Sequence, residues 1–168
     1  MQRRTLLKLG ASSAVLLAVI GGTAALIQPG LARGTLTPAG REVFHAIGLG
    51  VLDKTLPETA SAKEAALTAL LDRIDVLISA LPQHAQAELS QLLAILASGA
   101  GRLTLAGLGT PWATASVADV QMALQAMRLS SLAMRRQAYA ALHDITAGAY
   151  FSDSGTWSLL SYPGPLAI

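Results

Sequence analysis

The chain has no cysteine. That excludes structural disulfides, cysteine-ligated iron–sulfur clusters and c-type haem attachment. Charge is scarce, at 13% of 168 residues, and aromatics supply 4%. No cluster of Lys and Arg forms a nucleic-acid footprint, the densest basic spot being Arg128, Arg135 and Arg136. Histidine occurs three times, as His45, His84 and His143, never with another histidine at i+3 or i+4. No metal-binding spacing follows. There is no Gly-x-Ser-x-Gly nucleophile turn. Gly99-Ala100-Gly101 and Gly107-Leu108-Gly109 neither follow a strand nor open a helix as a phosphate cradle requires. His143 and Asp144 are sequence neighbours that a helix sends to different faces, so they are not expected to form a dyad. Asp72 and Asp75 share a helix face and are read as solvated charges. Met122, Met127 and Met134 lack histidine partners and are read as core filler. Catalytic residues, cofactor ligands and metal ligands are therefore all expected to be absent from this chain.

What the chain does have is concentrated at its start. Met1-Gln2-Arg3-Arg4-Thr5-Leu6-Leu7-Lys8 precedes an uncharged run from Leu9 to Ile27. A charged stretch ahead of an apolar one is the layout of an export signal. The paired arginines with Leu6, Leu7 and Lys8 mark the twin-arginine route, and hence the Tat translocase as a partner and the periplasm as destination. Two fates are open for residues 1–32. Gly30-Leu31-Ala32 places small residues at the usual positions before a cut ahead of Arg33. Alternatively, the nineteen uncharged residues 9–27 approach the roughly 20 needed to span a bilayer and stay as an anchor in the inner membrane. The glycines, serines and threonine in that run favour removal.

The sequence pI of 9.3 misleads, because the signal holds three of the twelve basic residues and no acidic ones. Residues 33–168 carry nine basic and ten acidic groups. With 52% apolar residues overall, this body either packs an Ala-rich core or hides surface against a partner.

Periodicity predicts an all-α fold of about five helices in a small bundle spanning 33–150. Residues 28–36 read as a linker. Thr37 and Pro38 fit the cap and first position of a helix carrying Phe44, Ile47, Val51 and Leu52, closed by Pro57. Gly48 and Gly50 weaken it or let neighbours approach closely. From Ser61 or Ala62, Leu67, Leu70, Leu71, Ile74, Leu77, Ile78 and Leu81 form one stripe. Pro82 ends it and opens a third helix with Leu89, Leu92, Leu93 and Leu96, predicting an antiparallel hairpin. Residues 98–115 read as a long irregular loop around Trp112. Ser116 to Asp119 resembles a capping box, starting a helix that ends near Arg128 to Ser131. A last helix follows from Leu132 to about Tyr150. Residues 151–168 form a non-helical tail stiffened by Pro163 and Pro165. Tyr150 and the tail together hold four of the seven aromatics. Such a segment suits docking, on its own core or on a partner. Arg135 and Arg136, near Tyr139, are candidates to pair with Asp119, Asp144 or a partner's carboxylates.

Arg3-Arg4-x-Leu6-Leu7-Lys8, then Trp112, Ser130, Arg135-Arg136-Gln137-Ala138-Tyr139, Ala149-Tyr150-Phe151, Trp157 and Tyr162-Pro163-Gly164-Pro165 resemble a family of small twin-arginine-signal proteins. These are similar to the small subunits of membrane-bound FAD-dependent dehydrogenases, the group that includes gluconate 2-dehydrogenase subunit 3. The sequence departs from the usual signal in having Leu6 where Phe is commoner. The resemblance implies a non-catalytic subunit for folding, export or assembly. Its partner would be a glucose–methanol–choline type flavoprotein that holds the FAD, with a cytochrome subunit as a further partner. Trp112, Arg135, Arg136, Tyr139, Tyr150, Trp157, Tyr162, Pro163, Gly164 and Pro165 would supply the interface. A second reading is a stand-alone periplasmic or membrane-anchored helical protein that binds a lipid or other hydrophobic ligand.

Overall fold

The computed structural model describes residues 28–164. The signal residues Arg3, Arg4, Leu6, Leu7 and Lys8, and Pro165 at the other end, lie outside the described residues. The chain is mostly helical, with one two-stranded sheet among the described residues. Five longer helices form the body: α1 (Pro38–Leu52), α2 (Ala60–Ser79), α3 (Gln83–Ala97), α4 (Val117–Arg128) and α5 (Ala133–Phe151).

α1 is the centre of the bundle and packs against each of the other four. Its buried residues, including Val43, Phe44, Ala46, Ile47 and Leu52, fall on more than one side, as expected of a helix enclosed by neighbours. Two glycines let those neighbours close in. A Cβ at Gly48 would press on Leu70 and Leu67 of α2, and one at Gly50 on Val120 of α4. The close-approach reading of these glycines is the one realised. Thr37 accepts from the amide of Gly40, 3.3 Å away, and Pro38 takes the first helical turn.

α2 buries Leu67, Leu70, Leu71, Ile74 and Ile78, the expected stripe with Leu77 and Leu81 at its edge. At α4, Ser116 accepts from the amide of Asp119 (3.1 Å) and donates to its carboxylate (2.7 Å). The short Asp side chain thus accepts a hydrogen bond from the hydroxyl, where the Glu of a full capping box would reach the backbone.

Two stretches differ from expectation. The linker over 28–36 contains a minimal hairpin, β1 (Leu31–Ala32) and β2 (Thr35–Leu36), joined at Arg33 and Gly34. Both turn residues have positive φ, 53° and 80°, the mirror-image turn that matches strand twist. The boundary between residues 32 and 33 falls inside this turn. Within 98–115, Gly99–Gly101 forms one helical turn and Arg102–Ala106 a π-helical turn, bent 89° from α3. A short 3-10 turn, Trp112–Thr114, follows.

The tail is more regular than its composition suggests. Ser154–Leu160 is a 3-10 stretch capped by Asp153, which accepts from the amide of Gly155. It ends in a Schellman-like turn: Ser161 is left-handed, and the amide of Tyr162 donates to Trp157 O. The prolines lie beyond these turns, so they do not oppose them.

Candidate functional site

The residues expected at a partner interface divide into three groups. Trp112 and Tyr150 are core residues, 3% and 4% exposed, which corrects their reading as surface anchors. The indole of Trp112 donates to Leu96 O at 2.7 Å, satisfying a carbonyl that the end of α3 leaves without a helical partner. The phenol of Tyr150 donates to Thr55 O at 2.9 Å and closes the loop after α1. Both aromatics are large enough to fill the core and polar enough to satisfy a stray carbonyl.

Arg135 and Arg136, candidates to pair with Asp119, Asp144 or a partner's carboxylates, meet backbone carbonyls within the chain. Arg135 donates to Leu105 O (2.8 Å) and holds the π turn against α5. Arg136 donates to Ser130 O (2.6 Å) and Ser131 O (2.8 Å), fixing the turn between α4 and α5. Tyr139 is half-buried and stacks on His143. His143 Nδ1 lies 3.1 Å from Asp144 Oδ1, so these neighbours do meet, contrary to expectation, through a local contact at the surface. The tail closes on itself and on α5. Trp157 donates to Phe151 O at 2.9 Å and meets Tyr162 edge-on. Gly164, at φ 97°, lies where a Cβ would touch the Trp157 ring. Pro163, Leu159, Leu160 and Tyr162 are exposed.

Asp72 is a solvated charge, as expected, whereas Asp75 is largely covered. Both bind Arg41, and Asp75 further accepts from the amide of Leu36 at 2.7 Å. Burial lowers the Arg41 pKa, but the hydrogen bonds and charges of Asp72 and Asp75 outweigh it and hold the guanidinium above its ordinary value. These groups link α1, α2 and the hairpin.

A surface feature that sequence reading did not locate lies between α3 and α5. An apolar groove of about 290 Å³ opens to solvent there. Leu89, Leu92 and Ile95 form one wall, Met134, Ala138 and Ile145 the other, and Leu105 of the π turn lines one part. Glu88, Gln91 and Gln137 add polar groups. Of its lining residues Met134 is 43% exposed; Leu103, two residues before Leu105 in the π turn, and Leu132, just before α5, are also exposed apolar side chains. α4 carries a second exposed apolar stripe with Met122, Ala126 and Leu129. Met122 and Met134 are therefore surface residues, and of the three methionines only Met127 is core filler. The sequence signal for the groove is partial: Leu89 and Leu92 of the α3 stripe line it, while Leu93 and Leu96 of the same stripe are fully buried.

Among the described residues, no group of His, Asp and Glu converges as a metal site, and no single helix is long and apolar enough to cross a membrane. Comparison with protein-family models, with curated proteins and with solved structures gives no match.

Proposed function

We propose that this chain is a non-catalytic accessory subunit that helps fold, export or assemble a periplasmic flavin-dependent dehydrogenase through the twin-arginine route. The observation that carries the reading is the open apolar groove between α3 and α5. Lined by Leu89, Leu92, Ile95 and the exposed Met134, it leaves apolar side chains open to water unless something covers them. Support from sequence comes from Arg3, Arg4, Leu6, Leu7 and Lys8 ahead of an uncharged run. The resemblance to small dehydrogenase subunits supplies the partner: a glucose–methanol–choline type flavoprotein carrying FAD, with a cytochrome subunit beside it. A folded, cofactor-loaded flavoprotein needs a route for folded cargo, and a bound small subunit provides the address. The exposed Leu159, Leu160 and Tyr162 extend the contact surface at the tail.

The test is co-expression with a flavin-dependent dehydrogenase that lacks a signal of its own. Deleting residues 1–27, which leaves the hairpin intact, is expected to leave both proteins in the cytoplasm. Replacing Met134 with Glu is expected to abolish co-purification while the subunit stays folded. Normal export of the partner in the deletion strain would end this reading.

The groove also favours a second reading, a hydrophobic ligand bound by a stand-alone protein, since 290 Å³ reaches the lower end of small-molecule sites. Native mass spectrometry separates the two: a retained lipid without a partner supports the second, and a stoichiometric flavoprotein the first.

A further inference from the structure

We propose that the hairpin seals the candidate processing bond between Ala32 and Arg33, so that the uncharged run 9–27 is retained as a membrane tether. The inference rests on the export reading of residues 1–8, and not on the identity of any partner. A signal peptidase that reads small side chains at two positions before the cut must lay the chain out as an extended strand, with backbone and side chains free. Here the backbone is engaged at Gly30, Leu31 and Ala32, and the side-chain positions of Gly30 and Leu31 are buried, while the Ala32 side chain is exposed. Gly30 donates to Ser90 O at 3.2 Å, and its carbonyl accepts from the amide and the hydroxyl of Thr37. A Cβ at Gly30 would collide with Leu93 and with Ser90 O, so the face a peptidase pocket must grip is already covered by α3. Leu31 is buried, and its amide donates to Ser90 Oγ at 3.1 Å. Ala32 pairs with Thr35, and the bond to be cut enters a turn at Arg33 and Gly34, both with positive φ. Asp75 locks the second strand through the Leu36 amide.

The twin-arginine route delivers cargo folded, so this hairpin already exists when the peptidase meets the chain. Only Gln28 and Pro29 separate the uncharged run from Gly30. Two extended residues reach about 7 Å. The tether therefore holds the Ser90 side of α3 close to the bilayer, the side turned away from the groove-lining Glu88, Leu92 and Ile95.

The experiment reads the N-terminus of the full chain, expressed in a host with a working twin-arginine system, by mass spectrometry after membrane fractionation. A companion variant carries a flexible Gly/Ser insertion with its own Ala-x-Ala site between Gln28 and Pro29. The expected result is an intact wild-type chain in the inner membrane and a cut, released variant. Three results overturn the proposal: wild-type protein beginning at Arg33, wild-type protein cut within 9–28, or an insertion variant as intact in the membrane as wild type. Recovery of both forms in the cytoplasm would instead remove the export reading itself, and the tether with it.

Discussion

Trp112 illustrates what a single side chain does in a chain without disulfides. It fills the space between α1 and the end of α3, and its indole N–H meets the otherwise unpaired Leu96 carbonyl. Replacing it with Phe keeps much of the packing and leaves that carbonyl buried without a donor. Such a loss costs about 1–3 kcal/mol. The expected outcome is a lower urea midpoint with an unchanged slope, and an unchanged midpoint would refute the capping role. Replacing Trp112 with Ala adds a cavity and is expected to cost about 3–5 kcal/mol. Arg41 shows a weaker case. Its raised pKa means that the stability from its charge is fully present below the ordinary guanidinium value and is lost only as pH rises through the still higher folded value. Its charge therefore gives stability no dependence on pH near neutrality. The side chain is 36% exposed, so replacing Arg41 with Met is expected to cost only about 1 kcal/mol, read from the same urea curves.

At the scale of elements, Gly30 joins the hairpin to α3. Alanine there puts a methyl group onto Leu93 and the Ser90 carbonyl. Overpacking of this kind costs about 1–3 kcal/mol, and the expected result is a lower Tm with early loss of protection at the Gly30 and Leu31 amides in hydrogen exchange. An unaltered Tm would show that the hairpin is not docked on α3. This element was hidden in the sequence for a physical reason. Strands of two residues have no room for alternation, and Arg33-Gly34 is not one of the turn pairs that announce a hairpin. The five longer helices were legible, because Leu67 through Ile78 and Leu89 through Leu96 repeat at helical spacing and Thr37, Pro57, Pro82 and Ser116 punctuate them. The π turn at Arg102–Ala106 was not legible. Two glycines before it argue for a loop, and what holds it is the distant Arg135. Local signals report helices; they do not report a carbonyl met by a side chain thirty residues away.

Across the whole molecule, the aromatics that composition offered as anchors are spent on the fold. Trp112 and Tyr150 are inside, and Trp157 is tied to Phe151 O. What faces water is mostly aliphatic: Val76, Leu103, Met122, Leu129, Leu132, Met134, Leu159 and Leu160, with Tyr162 the one aromatic beside them among the described residues. The candidate surface was therefore legible as an excess of apolar residues but not by position, because burial is decided by which helices meet. Two substitutions separate the surface from the fold. Trp157→Ala is expected to loosen the tail, making the chain beyond Phe151 sensitive to limited proteolysis, with little change in Tm because the bundle core is untouched. If the tail is part of the interface, recovery of the partner falls as well. Met134→Glu places a charge at the groove, where Met134 is 43% exposed and free to reach water in the isolated subunit. Its unfolding curve is expected to match wild type within about 0.5 kcal/mol, as for surface substitutions generally. In a complex that covers the groove, the same carboxylate would be desolvated opposite Leu92 and Ile95, and removal of an unpaired charge from water costs several kcal/mol. Association is then expected to weaken more than a hundredfold. Equal affinity for the two forms, measured by titration with the purified partner, would place the contact elsewhere, with the α4 stripe at Met122 and Leu129 next to be substituted.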